Sequence, residues 1–311
     1  MADFEHISVL LNESIAALDI KPNGIYVDCT TGGGGHSYEI AKRLDGGRLI
    51  CIDRDSDAIA AAKARLAPFA DKITFVKDNF SNIDGILDGL GIEKINGALA
   101  DLGVSSYQFD TAERGFSYKL DAPLDMRMDV TSPLTAFDVV NNYSESDLRR
   151  VISVYGEDNF APSIAKAIAK AREASPIKTT TELSDIVKSA YPPKLREVGH
   201  HPAKKTFQAI RIEVNGEIEV IEPTVKNIIS RLETGGRVAF ITFHSLEDRA
   251  VKNAFADMSR GCTCPPSFPV CVCGNKPKIK IITKKPILPS KNELESNRRS
   301  HSAKLRAAEK V

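Results

Sequence analysis

Residues 25–53 constrain the fold more than any other stretch. They read Ile25-Tyr-Val-Asp-Cys-Thr-Thr-Gly-Gly-Gly-Gly-His-Ser37, then a helical run, then Arg48-Leu-Ile-Cys-Ile-Asp53. Residues 25–29 are short, apolar and β-branched, the pattern of a parallel strand buried on both faces. Residues 37–44 carry helical spacing, and 48–52 form a second buried strand. Between the first strand and the helix stand Gly32, Gly33, Gly34 and Gly35. Glycine lets the chain turn sharply and lets a ligand approach the main chain. The unit is βαβ, with an acid closing each strand: Asp28 and Asp53.

Three ligand classes use such loops. A phosphate-binding P-loop needs Gly-x-x-x-x-Gly-Lys-Ser/Thr, which is absent. The dinucleotide fingerprint Gly-x-Gly-x-x-Gly fails at Ser37 or Tyr38, depending on where it starts. Asp28 at the mouth of the loop would also repel a pyrophosphate. S-adenosylmethionine fits better: it has no phosphate, it carries a sulfonium and an ammonium, and Asp53 can accept its ribose hydroxyls. The competing reading is a structural glycine turn in some other α/β protein.

The chain of 311 residues is long enough for two domains and a sizeable core. No apolar run approaches the roughly 20 residues that span a bilayer. The start, Met1-Ala-Asp-Phe-Glu5, does not read as a signal peptide. Six cysteines are too few for a disulfide scaffold of this length, so a cytoplasmic location is expected. The net charge of +1 hides an uneven distribution. Residues 1–144 hold 13 Lys/Arg against 22 Asp/Glu, 145–211 hold 12 against 8, and 274–311 hold 11 against 3. Two basic segments on a near-neutral chain suggest a polyanionic partner, although a solvated tail would have the same composition.

Further along, helices are expected at 10–18, 56–66 and 83–90, and strands at 73–76 and 95–101. Lys77-Asp-Asn-Phe80 follows the third strand, where a polar group and a ring suit an adenine; Phe80 as plain core is the alternative. Four alternating strands predict a doubly wound parallel sheet, whose ligands sit at the carboxyl ends of its strands. Asp28, Asp53, Asp78 and Asp101 all fall there. Residues 102–131 read as loop. The capping signals Ser144-Glu-Ser-Asp147 and Thr179-Thr-Thr-Glu182 start helices in an inserted helical, basic domain, 132–205, flanked by 1–131 and 206–311. Helix then runs over 207–232 with a break at Pro223. A fifth strand over 235–242, a helix over 247–255 and a last edge strand over 278–283 follow.

Asp101-Leu-Gly-Val-Ser-Ser-Tyr-Gln108 is the most chemical stretch. A carboxylate that accepts an N–H bond from a cytosine or adenine amine localises its lone pair and helps proton loss. Asp101 is the candidate; binding only the cofactor ammonium is its alternative role. Ser105, Ser106 and Gln108 add polar groups. The absence of a Pro-Cys dipeptide disfavours thiol attack on a pyrimidine ring. His244 reads equally as a substrate contact or a structural histidine, and His200 and His201 as surface residues. Cys262-x-Cys264 and Cys271-x-Cys273 place four thiols within twelve residues. Four thiolates can form a tetrahedral zinc site, but Cys-x-x-Cys is the commoner knuckle, so reduced thiols and no metal are expected.

These residues closely resemble those of the bacterial small-subunit ribosomal RNA methyltransferase H (MraW) family. The resemblance covers nearly the whole chain. It rests on His6-Ile-Ser-Val-Leu-Leu-Asn-Glu13, Gly33-Gly-Gly-His36-Ser, Ile52-Asp-Arg-Asp55, the 101–108 stretch, Arg114-Gly-Phe-Ser-Tyr118, Pro123-Leu-Asp-Met-Arg-Met-Asp129, Thr206-Phe-Gln-Ala-Ile-Arg-Ile-Glu-Val-Asn215, Phe243-His-Ser-Leu-Glu-Asp248 and Asn297-Arg-Arg-Ser-His-Ser-Ala-Lys-Leu-Arg306. It implies a class I S-adenosylmethionine-dependent methyltransferase domain interrupted by a helical domain. It implies methylation of N4 of one cytidine in 16S rRNA, in the P-site region of the 30S subunit. It places cofactor contacts at Gly34, Gly35, His36, Asp53, Phe80, Asp101 and Gln108. Tyr107 stands where the family often has proline. The partner is then 16S rRNA within the small subunit, with no membrane; a homodimer is left open. Two other functions compete: a non-catalytic RNA-binding assembly factor, and an amine methyltransferase for DNA or protein. The absence of an Asn/Asp-Pro-Pro-Tyr/Phe run argues against the DNA enzyme.

Overall fold

The computed structural model describes residues 8–196, 201–265, 267–270 and 272–311, with Ser106 in backbone only. His6, His200 and Cys271 lie outside the described residues. The chain forms two compact units: one ends at Gly103 and resumes at Ile218, and the other is Val104–Glu217.

In the first unit α1 (Leu11–Leu18) precedes β1 (Ile25–Asp28), α2 (Gly35–Ala41), β2 (Arg48–Asp53), α3 (Ser56–Arg65), β3 (Ile73–Lys77), α4 (Ile83–Gly89) and β4 (Ile95–Asp101). The second unit carries α5 (Ser106–Asp110), α6 (Ala136–Asn142), α7 (Glu145–Gly156), α8 (Ala161–Ala174), α9 (Thr180–Ala190) and α10 (Ala203–Asn215). The first unit resumes with α11 (Ile221–Arg231), β5 (Leu232–Thr242), α12 (Ser245–Ser259), β6 (Ile279–Ile281), α13 (Lys291–Ser296) and β7 (Lys304–Lys310).

The seven-stranded sheet has the order β3-β2-β1-β4-β5-β7-β6. Strands β1 to β5 pair in parallel, and β7 runs antiparallel to both of its neighbours. This is the expected class I methyltransferase sheet. Its two faces follow from the period of two along a strand. Val27, Ile50, Ile52, Ala98, Ala100, Val238 and Phe240 enter one core with α4, α11 and α12. Their neighbours Tyr26, Leu49, Cys51, Leu99, Ala239 and Ile241 enter the other, with residues of α1, α2 and α3. Each fully buried Leu, Ile or Phe contributes roughly 1.5–3 kcal/mol, so the apolar runs are satisfied only by burial on both sides.

Two expectations about the carboxyl half are corrected. The edge strand near 278–283 is β6, but β7 lies between it and β5. The basic tail is therefore partly internal: Arg306 is 8% exposed, and its Nε donates to Asp248 Oδ1 at 2.6 Å. Pro223 does not break a helix. The break is at Gly216, whose φ of +57° ends α10, and Pro223 sits in the first turn of α11, where a missing N–H costs little.

The helical unit is wider than 132–205. Phe116, Leu124, Met126 and Met128 from the preceding loop share one core with Val139, Ile164, Leu183, Phe207, Ile210 and Val214. Those apolar side chains pull 104–131 and α10 into the unit. Ser144 Oγ accepts the amide of Asp147, and Thr179 with Glu182 forms a complete capping box, as their spacing predicts. The loop before α6 is held by its own polar groups. Asn215 Oδ1 accepts Met128 N, its Nδ2 donates to Met126 O, both at 2.8 Å, and Arg114 Nη2 donates to the carbonyls of Arg127 and Met128. At Gly115 φ is +70°, and a Cβ would lie 2.3 Å from Pro123 O, so only glycine fits there.

Candidate active site

The carboxyl edge of the sheet gathers the predicted acids, and the chain has used most of them already. Asp28 ends β1 and is 1% exposed. Its Oδ2 accepts Ser37 Oγ at 2.5 Å, and its Oδ1 accepts Thr30 N at 3.2 Å. It braces the glycine loop from beneath rather than standing at its mouth. Burial, opposed by the bond from Ser37, pushes its pKa up to about 6.

Asp53 ends β2 and reaches across to the loop. Its Oδ2 accepts Gly32 N at 2.8 Å, and its Oδ1 accepts Asp55 N at 2.9 Å. Burial raises its pKa despite those bonds. A carboxylate has about four acceptor positions, so capacity remains for hydroxyl donors. Asp78, just past β3, accepts Asn79 N and Asn82 Nδ2 and so closes the next turn of chain. Phe80 begins that turn; it is half-buried and packs against the core beside α4.

The glycines divide by task. Gly34 caps α2 at φ +78°, with Ala62 and Leu66 atoms 3.4 Å from where a Cβ would be. At Gly35 a Cβ would fall 1.9 Å from Ser8 Oγ. Gly35 is thus required by the loop's own packing and Gly34 by its left-handed backbone. Gly33 has nothing within 4 Å of a Cβ position, so it is the open one. Sequence reasoning put the weight on its neighbours.

Asp101 differs from the other acids. It ends β4, and its amide donates to Thr30 Oγ1 at 2.6 Å, a clamp between β1 and β4 that the sequence did not reveal. Its side chain keeps one-quarter of its exposure, yet Oδ1 is buried and has no hydrogen-bond partner. Burial first, then the charges of Asp28 and Glu247, raise its pKa well above the ordinary carboxylate value. His36 Nδ1 stands 4.0 Å from Asp101 Oδ2, and His36 Nε2 lies 3.1 Å from Val9 O. A carbonyl can only accept, so Nε2 carries a hydrogen. Nδ1 is the ring atom turned to Asp101.

Glu247 is a further residue that sequence reasoning passed over. It is 1% exposed, accepts the amides of Phe243 and His244, and lies 3.0 Å from His244 Nε2. Gln108 belongs to the helical unit, where it closes a capping box on α5: Ser105 N donates to its Oε1 at 3.0 Å, and Ser105 Oγ accepts its amide. The 102–131 stretch is therefore not all loop. Tyr107 sits in the first turn of α5 and is 55% exposed. His201 is exposed, as expected of a surface residue, and its ring stacks on Tyr118 with centroids 4.7 Å apart.

A buried carboxylate oxygen without a donor is rare in a native structure, and Asp101 Oδ1 is one such atom at the carboxyl edge of the sheet. The acids around it invite a cation and repel an anion. Residues 3–311 match the family model described as the MraW methylase family. The chain belongs to the MraW methylase family. It is 59% identical over 310 residues to a protein of Agathobacter rectalis named ribosomal RNA small subunit methyltransferase H 2, with 99% of each chain covered. Proteins named ribosomal RNA small subunit methyltransferase H from Lachnospira eligens and Finegoldia magna are 57% and 56% identical, again over 99% of this chain and 98% and 99% of theirs. A member of this family is a methyltransferase, and its class I sheet with acid-lined strand ends suits S-adenosylmethionine as donor.

Proposed function

We propose that this protein methylates N4 of one cytidine of 16S rRNA, in the P-site region of the small ribosomal subunit, in the cytoplasm. The observation that carries the reading is the unpartnered, buried Oδ1 of Asp101 at the carboxyl end of β4. S-adenosylmethionine supplies a methyl carbon on a sulfonium and an ammonium beside it. Asp53 would hold the ribose hydroxyls, Phe80 the adenine face, and Gly34, Gly35 and His36 the turn around the amino-acid end. Asp101 and Gln108 complete the assigned set. Among the described residues no helix is long and apolar enough to cross a membrane.

Asp101 accepts an N–H bond from the target amine and then its proton, as the nitrogen bonds the methyl carbon and the carbon–sulfur bond breaks. Its raised pKa gives this role a condition. Burial and the neighbouring acids disfavour its charged form, and a cation beside it favours the carboxylate that accepts the proton. Exposed Lys194, Lys204 and Lys205 of the helical unit support an RNA-facing role for that unit.

The test uses protein, labelled S-adenosylmethionine and small subunits from a strain lacking this methylation, with the product nucleoside mapped by mass spectrometry. Label on N4 of a single cytidine is expected. Label on protein, on DNA or on a ring carbon would refute the reading, and so would binding to the subunit with no transfer.

A further inference from the structure

Between α12 and β6 the chain carries Cys262, Cys264 and Cys273, which the sequence alone leaves as reduced thiols. Their sulfurs all lie within 4.8 Å of one another, and those of Cys262 and Cys273 are 3.7 Å apart. A disulfide needs about 2.05 Å. Zinc–sulfur bonds of about 2.3 Å place the corners of a tetrahedron roughly 3.8 Å apart. The spacing of Cys262 and Cys273 is that of two metal ligands, and Cys264 lies within reach of the same centre.

The main chain is arranged to match. Cys264 N donates to Cys262 Sγ at 3.4 Å, Val272 N to Cys264 Sγ at 3.3 Å, and Thr263 N and Asn275 N to Cys273 Sγ at 3.3 and 3.5 Å. Donors aimed at sulfur favour the thiolate, the form that binds metal, and orient it. Gly274 has φ +63° with open space around its Cβ position, so the chain can fold back and bring Asn275 N onto Cys273. Asn275 Nδ2 also donates to the carbonyls of Arg260 and Gly261, tying the start of the segment to its end. Burial does not hold this segment together: Phe268, Val270 and Val272 are 49%, 70% and 73% exposed. A chain without a core needs another staple, and a structural metal is one such device.

We propose that Cys262, Cys264 and Cys273 bind a structural zinc ion that fixes the segment between α12 and β6. The three described thiols set three corners of the site. Each thiol gives up its proton on binding, so affinity falls as the pH is lowered. The site sits on the family's fold without taking part in the transfer.

The test measures metal on the full chain, purified without chelator and reconstituted with Zn(II) under reducing conditions. About one zinc per chain is expected by elemental analysis. Replacement by Co(II) should give the intense visible bands of a tetrahedral thiolate site and a sulfur-to-metal charge-transfer band. Cys262→Ser, Cys264→Ser and Cys273→Ser should each lose the metal while circular dichroism and cofactor affinity hold, since these side chains lie outside both sheet cores. Zinc well below one per chain after reconstitution, a cobalt spectrum without the charge-transfer band, or full zinc retention in Cys273→Ser would each overturn the proposal.

Discussion

The helical unit and the carboxyl edge of the sheet both carry dense runs of motif residues, but they spend them differently. In the helical unit Asn215, Arg114, Gln108 and Ser105 bind the unit's own backbone. Asn215 ties α10 to the carbonyl of Met126 and the amide of Met128, Arg114 holds two carbonyls, and Gln108 and Ser105 cap each other. At the sheet edge, Asp28, Asp53 and Asp78 do the same, and Asp101 does not: its Oδ1 is buried and has no donor. A motif thus marks a constraint, and the structure separates side chains bonded within the fold from one that is not.

The largest effect that would break this contrast is at Asp101. Asp101→Asn keeps the shape and removes the acceptor charge, so single-turnover transfer at saturating donor and subunits should fall by about 10²–10⁴-fold. Residual activity should lose the acidic limb of the parent's pH profile. A drop of less than about tenfold would make Asp101 a cofactor ligand only.

Asp28 should show the opposite character, that of a buried brace whose proton matters to stability. Its folded pKa of about 6 stands above the ordinary 3.8, so the folded state keeps the proton to higher pH. Stability is then greatest below about pH 4 and falls as the pH rises through about 6, by on the order of 3 kcal/mol for a group this buried. Asp28→Asn should lack that fall. Denaturant midpoints taken across this window in parent and variant measure it, because the titration of Asp101 is present in both. Parallel curves would mean that Asp28 does not titrate there.

A pair of substitutions crosses the two regions. Asp53→Ala should weaken cofactor binding by about 1.5–3 kcal/mol, the range for hydrogen bonds to a charged group. Asn215→Ala leaves Met128 N and Met126 O to find new partners and should cost about 1–3 kcal/mol of stability. Its cofactor affinity should match the parent's. Calorimetry and thermal melts on both variants decide it: a stability loss with unchanged affinity at Asp53, or the reverse at Asn215, would erase the distinction.

What was legible in the sequence divides along the same physical line. Strands β1 to β4 announce themselves because a parallel strand buried on both faces must be a continuous apolar run. β7 does not: Lys304-Leu-Arg-Ala-Ala-Glu-Lys310 is poor in β-branched residues and reads as a basic tail. It becomes a strand because β5 and β6 pair with it on either side and Asp248 receives Arg306. Such long-range pairing leaves no local trace. The helical unit's bounds were missed for the same reason. Residues 104–131 have no periodicity, yet Phe116, Met126 and Met128 reach the helical core. At the site, residue type and strand-end position pointed to the acids. Which of them lacks a partner depends on Thr30, Ser37 and Gly32, and only the folded backbone decides that.

The smallest expected effect concerns the basic face of the helical unit, and it needs the right residues. Arg196 is a poor probe, because its Nε donates to Tyr191 O at 2.9 Å and its Nη2 to Ser189 O at 2.8 Å, closing the end of α9. Replacing it would mix a lost cap with a lost charge. Lys194, Lys204 and Lys205 are exposed, and the hydrogen bond from Lys205 Nζ to Glu157 O lies on the surface. Removing them should shift stability by no more than about 0.5 kcal/mol. A lysine that neutralises a phosphate adds about 0.7–0.9 to the slope of log affinity against log salt. The triple alanine variant should therefore flatten that slope by about 2–3 when binding to small subunits is measured over a salt series, with cofactor affinity unchanged. An identical slope in parent and variant would remove this face from the RNA contact. The polar side chains of the helical unit would then serve its own packing alone.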